Sequence, residues 1–105
     1  MRDETSVFVH AKRIYENGLA YTIRDAYPMT PGHTLIVPVR RVESWFNLNR
    51  KEVLAIHTQL QLAMYDLEKE FHPLGYRIMV NIGTAAHIKQ LHVHLIPSYR
   101  TEPMP

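Results

Sequence analysis

The chain contains no cysteine. Disulfides, a thiolate nucleophile and thiolate metal ligation are therefore excluded. No run of about 18 apolar residues occurs, so the sequence offers no membrane-spanning helix. No charged, apolar, small-residue leader opens the chain, so no Sec signal is expected and the expected compartment is the cytoplasm. Charge of one sign is also scarce: twelve Lys+Arg against ten Asp+Glu leave +2. The basic residues are scattered rather than set in a stripe with interleaved aromatics, which speaks against nucleic-acid binding.

What remains is a chain of 105 residues, 46% apolar and 21% charged. That is the composition of an ordinary soluble globule, and the length suits one domain over residues 1–105. Such a chain buries roughly 60–70% of its unfolded surface, enough for one core. The anomaly is seven histidines. Histidine is the side chain that titrates near neutrality, so the placement of these residues carries the functional argument.

Asn17-Gly18 separates two short β-prone runs, 13–16 and 19–24. The pair predicts a type I′ hairpin turn, because both central residues of that turn need positive φ. Residues 25–32 contain Pro28, Pro31 and Gly32 and read as a loop. Residues 33–39 form a nearly all-apolar run, predicting a third strand covered on both faces. A short helical turn is expected over 42–46. Asn49 and Glu52 have the spacing of a capping box. Val53, Ile56, Leu60, Met64, Leu67 and Phe71 then recur every three or four residues, predicting a long amphipathic helix that Pro73 and Gly75 end. Strands are expected at 76–82 and 91–99, with a tail at 101–105. Hairpin strands with one long helix predict an antiparallel α+β domain.

The segment Gln90-Leu91-His92-Val93-His94-Leu95-Ile96-Pro97 is the chemical signal. Alternate side chains of a strand share a face, so Leu91, Val93 and Leu95 should pack under the helix. Gln90, His92 and His94 should then form a polar row on the other face. Ordinary packing does not require such a row, although a wet strand face tolerates histidine at little cost. The row suits an anion, a nucleophilic mechanism, or a metal held by His92 and His94 with His33 or His87 as third ligand.

Taken together, four segments resemble the histidine triad (HIT) family. They are the run from Ile23 through the Asp25, Pro28, Pro31, Gly32, His33 loop to Pro38; Arg41-Val42-Glu43-Ser44; Gly75-Tyr76 with Val80-Asn81-Ile82-Gly83; and the histidine strand. The resemblance covers about residues 13–99. It implies a five-stranded antiparallel sheet with one long helix, and a homodimer that extends the sheet. It further implies hydrolysis or nucleotidyl transfer at the α-phosphate of a purine nucleotide, with no cofactor and no metal. His92 would be the nucleophile and form a nucleotidyl-histidine. His94, Gln90, Asn81 and His33 would support the phosphate and leaving group. Asp25 would bind the ribose hydroxyls, and Ile23 and Ala26 would line the base pocket. The chemistry is sound: a neutral imidazole attacks phosphorus well when an acceptor holds its other N–H, and the backbone carbonyl of residue 90 is present whatever the side chain.

Two departures stand out. Gln90 occupies the place of the first triad histidine. Ala85, Ala86 and His87 stand where the family commonly carries Gly, Gln and Ser or Thr, and the stretch between Asn81 and Gln90 is about two residues short. Losing one preorganised donor costs about 3–4 kcal/mol in other enzymes. A nucleotide-binding module with little catalysis is therefore the alternative, and a histidine metal site the second alternative.

Overall fold

The computed structural model describes residues 6–105. Residues 1–5, to which the expected domain extends and at which the expectation of no leader begins, lie outside the described residues. Five strands form one antiparallel sheet: β1 (Tyr15–Glu16), β2 (Ala20–Arg24), β3 (Thr34–Pro38), β4 (Gly75–Val80) and β5 (Val93–Ser98). Their order is β1-β2-β3-β5-β4. One helix, α1 (Arg50–Phe71), connects β3 to β4. The α+β architecture is the expected one, with each strand within a few residues of its predicted place.

The first hairpin corrects one expectation. Glu16 pairs with Tyr21, so the central residues of the turn are Gly18 and Leu19, not Asn17 and Gly18. Gly18 has φ +84°, whereas Asn17 keeps negative φ. Glycine at the first central position is the pattern of type II′ turns rather than type I′. Asn17 instead works through its side chain: Oδ1 accepts from the Leu19 and Ala20 amides, and Nδ2 donates to the Ala55 carbonyl of α1.

Asn49 and Glu52 form the predicted capping box, satisfying orphan amides at the helix start. The buried stripe of α1 is rotated from the predicted one. Glu52, Ala55, Ile56, Gln59, Ala63 and Leu67 are buried, while Met64 is 42% exposed. The small alanines let the helix approach the sheet. Gln59 is admitted because both ends of its amide are satisfied: Oε1 accepts from Thr22 Oγ1 and Nε2 donates to the Ala20 carbonyl, each at 2.6 Å. Glu52 is admitted because Arg40 meets both its oxygens, at 2.8 and 3.0 Å. The helix ends at His72 in a left-handed conformation, before Pro73. The expected turn at 42–46 is a single 3₁₀ turn, Trp45–Asn47, shifted because Ser44 caps it by accepting from the Phe46 amide.

Both faces of the central strands are covered. On one face Ala20, Ile36 and Val93 pack with Ala55 and Ile56 of α1, and Leu95 packs with Ala63 and Leu67. On the other, Tyr21, Ile23, Leu35 and Val37 meet Phe8 and Ala11 from the N-terminal segment. Each fully buried large side chain contributes about 1.5–3 kcal/mol. Gly32, at φ +87°, lies so close to α1 that an added Cβ would come within 2.7 Å of Leu67 Cδ2. The loop that contains it is fastened to the last strand: Thr30 Oγ1 donates to the Pro97 carbonyl at 2.7 Å, and Tyr99 OH to the Pro31 carbonyl at 2.6 Å.

Candidate active site

β5 sets the site. Val93 and Leu95 point to α1, so His94 points to the opposite face, where it pairs with Leu35 and Met79 across the neighbouring strands. His92, just before the ladder begins, continues that parity. Its ring centroid lies 4.8 Å from that of His94. The two imidazoles therefore stand side by side, as the alternation predicts.

The tautomers follow from hydrogen bonding. His92 Nδ1 lies 2.9 Å from the Gln90 carbonyl oxygen. A carbonyl only accepts, so Nδ1 carries the proton and Nε2 keeps a free lone pair. A second chain starts at a backbone amide. The Met29 N–H donates to His33 Nδ1 at 3.0 Å. Neutral His33 then bears its proton on Nε2, which lies 2.9 Å from His94 Nδ1. His94 in turn bears its proton on Nε2. That atom is buried and without a hydrogen-bond partner among the described residues, and His94 itself is only 9% exposed. A buried donor left open costs stability, about 1–3 kcal/mol, and such a donor is of use to an incoming oxygen.

Electrostatics hold this arrangement neutral. Burial, reinforced by His92 and His33 and opposed by Asp25, pushes the His94 pKa down to about 4. Burial also holds His33 below its ordinary value, against the pull of Asp25. Asp25 Oδ2 lies 3.4 Å from His33 Nε2, and its Oδ1 accepts from the Tyr27 amide at 2.9 Å.

Beside His92 opens a cavity of about 330 Å³, within the usual range for small-molecule sites. Ile23 and Leu35 form its floor, and Asp25, Ala26 and Tyr27 one side. Val7, Phe8, His10 and Ala11 form the opposite wall, with Ile88 at the rim. Ile23, Asp25 and Ala26 were singled out in the sequence; the N-terminal wall was not. The apolar spacing of Val7, Phe8 and Ala11, one helical turn, was its available signal.

The remaining residues fall elsewhere. His33 stands behind His94 and does not line the cavity. Asn81 follows β4, half-buried, on the parity of Met79, and does not line it either. Gln90 has a partner of its own: its Oε1 accepts from Ser6 Oγ at 2.8 Å, on the segment whose Phe8 meets the His92 ring. His87 is exposed on the loop after a 3₁₀ turn, Gly83–Ala85. The expected metal set of His92 and His94 with His33 or His87 is not the one brought together. Asp25, His33 and His94 converge instead, each offering an atom within 4.8 Å of the others. His33 Nδ1 is taken by Met29, and the 2.9 Å His33–His94 contact is a hydrogen bond, so this pair is satisfied without an ion.

Comparison with known proteins places the fold in a family. Residues 8–101 match the HIT domain. The chain belongs to the HIT family. It is 32% identical over 84 residues to AP-4-A phosphorylase of Mycobacterium tuberculosis, covering 77% of this chain and 43% of that protein. It is 26% identical over 96 residues to the asymmetrical bis(5′-nucleosyl)-tetraphosphatase of Schizosaccharomyces pombe, covering 90% of this chain and 53% of that protein. The chain thus spans about half the length of these two relatives. The crystal structure of a HIT family protein from Bacillus anthracis superposes with a TM-score of 0.80 at 27% identity, covering 87% of this chain and 66% of that one. No helix among the described residues is long and apolar enough to cross a membrane.

Proposed function

We propose that this chain is a nucleotide hydrolase or nucleotidyl transferase acting at an α-phosphate of a purine nucleotide. The observation that carries the reading is the pair of fixed tautomers on rings 4.8 Å apart: a lone pair on His92 Nε2 and an N–H on His94 Nε2. The lone pair attacks phosphorus. An N–P bond forms as the P–N or P–O bond to the leaving group breaks, and the leaving group takes the electron pair. His94 Nε2–H supports the negative charge on the phosphoryl oxygens. Water then attacks the nucleotidyl-His92, restoring the imidazole and releasing the nucleotide. Asp25 accepts from the ribose hydroxyls, the apolar floor over Ile23 and Ala26 receives the base, and Asn81 orients the phosphate. The two enzymes named above support a nucleotide polyphosphate as substrate. The reaction takes place in the cytoplasm, and the protein works as a homodimer joined through β4. The outer edge of β4 has no strand neighbour among the described residues, and Ile78 is 60% exposed there.

Incubation with adenosine 5′-phosphoramidate and with a dinucleoside polyphosphate, beside His92→Ala, tests the mechanism. AMP release by the wild type and none by the variant is expected. Equal release by both would remove His92 from the chemistry. The loop at Ala85, Ala86 and His87 presents no side-chain amide or hydroxyl to a phosphate, and this favours one second reading, a nucleotide-binding module. That reading is left standing by calorimetric binding of a nucleoside monophosphate without turnover.

A further inference from the structure

Residue 90 does two separate things. Its backbone carbonyl fixes the His92 tautomer. Its side chain, 8% exposed, accepts from the hydroxyl of Ser6, itself 6% exposed. The same hydroxyl accepts from the Phe8 amide at 3.2 Å. The Ser6 carbonyl accepts from the Val9 amide, and the Phe8 carbonyl from the Ala11 amide, which coils the segment into a turn. Coiling sends Phe8 edge-on to the His92 ring, centroids 5.4 Å apart. It also sets Phe8 and Ala11 on the apolar floor beside Ile23 and Leu35. The segment therefore supplies a whole wall of the cavity, and the Gln90–Ser6 bond is its buried side-chain tie to the strand end that carries the nucleophile.

We infer that Gln90 and Ser6 form a latch that presses the segment around Phe8 against His92, so that this pair governs how tightly the nucleoside is held rather than the chemistry at phosphorus. The inference rests on the nucleotide reading above for its ligand. Gln90 is thus a positioning residue that acts through Ser6 and Phe8. The first triad place is open to glutamine because only its carbonyl serves the nucleophile, which leaves the side chain available for the latch.

The test compares Gln90→Met, Ser6→Ala, the double variant and Ser6→Thr. A net hydrogen bond of about 1 kcal/mol corresponds to roughly a fivefold change. KM for the nucleotide should rise about fivefold in each of the first two variants, with kcat within about twofold. The double variant should be no worse than either single one, because both remove one interaction. Ser6→Thr, which keeps the hydroxyl, should restore KM. A fall in kcat for Gln90→Met with Ser6→Ala unaffected would put Gln90 at the reacting groups and overturn the latch. Hydrogen exchange over residues 6–11 gives a readout independent of turnover. Faster exchange in Gln90→Met and Ser6→Ala is expected, and unchanged exchange would overturn the latch even if neither nucleotide is turned over. A wild type that neither turns over nor binds a nucleoside monophosphate, with exchange still faster in the variants, would instead sink the nucleotide reading and leave the latch.

Discussion

His94 is the residue on which burial and chemistry meet. Its Nε2–H is buried without a partner among the described residues, and the same burial makes protonation unfavourable in the folded protein. The unfolded side chain titrates near 6.5 and the folded one at about 4. As pH falls below 6.5 the unfolded chain takes up a proton that the folded chain refuses until about 4. Stability is therefore full above that window and is lost progressively through it as the pH drops. His33, also held low, contributes in the same direction. Thermal unfolding followed between those two pH values should show a steep fall for the wild type and a shallower one for His94→Asn. Parallel curves would assign the pH dependence to other groups. The tautomer chain itself was half legible: the carbonyl of residue 90 follows from chain geometry alone, whereas the Met29 amide behind His33 depends on how the loop folds back.

Among the elements, the loop 25–33 and α1 are adjusted to each other. Gly32 combines positive φ with an approach to Leu67 that admits no Cβ. Gly32→Ala should cost about 2–3 kcal/mol, from strained backbone plus displaced helix side chains. Urea denaturation would show it as a lower midpoint at unchanged slope, and a midpoint equal to wild type would mean that the helix yields freely. Strand and helix existence was readable from apolar alternation and the three-to-four spacing, since those patterns belong to local geometry. The rotation of the buried helix face was not. Hydropathy weighs Met64 above Gln59, but distance to the sheet and available backbone partners decide which of them is buried. The partner of Gln90 was not legible either: its side chain turns to Ser6, 84 positions away, on the segment that carries Phe8 to the His92 ring.

At the scale of the molecule, the candidate site is drawn from distant parts of the chain: the segment around Phe8, the loop from Asp25 to His33, and β5. The wall around Phe8 escaped sequence reading because its contact with His92 spans most of the chain. The opposite edge of the sheet is where the proposed homodimer would form. There β4 and α1 enclose an apolar hollow of about 340 Å³, lined by Leu60, Met64, Tyr76 and Ile78 among others. Ile78→Asp should shift sedimentation from dimer to monomer while leaving the fold intact by circular dichroism. A wild type that sediments as a monomer at micromolar concentration would remove the dimer from the proposal.

The position of β5 has a consequence for how the chain is made. This strand is the last among the described residues, yet it lies between β3 and β4 in the sheet. During synthesis, a chain that has emerged only as far as α1 and β4 can pack α1 on β2 and β3, but β4 has no strand to pair with. Two open strand edges, those of β3 and β4, wait until β5 leaves the ribosome and inserts between them. His92 immediately precedes that strand and His94 lies on it, so the sheet closes and the two imidazoles are brought side by side in a single late event. A nascent or truncated chain that stops before Val93 is then exposed to aggregation.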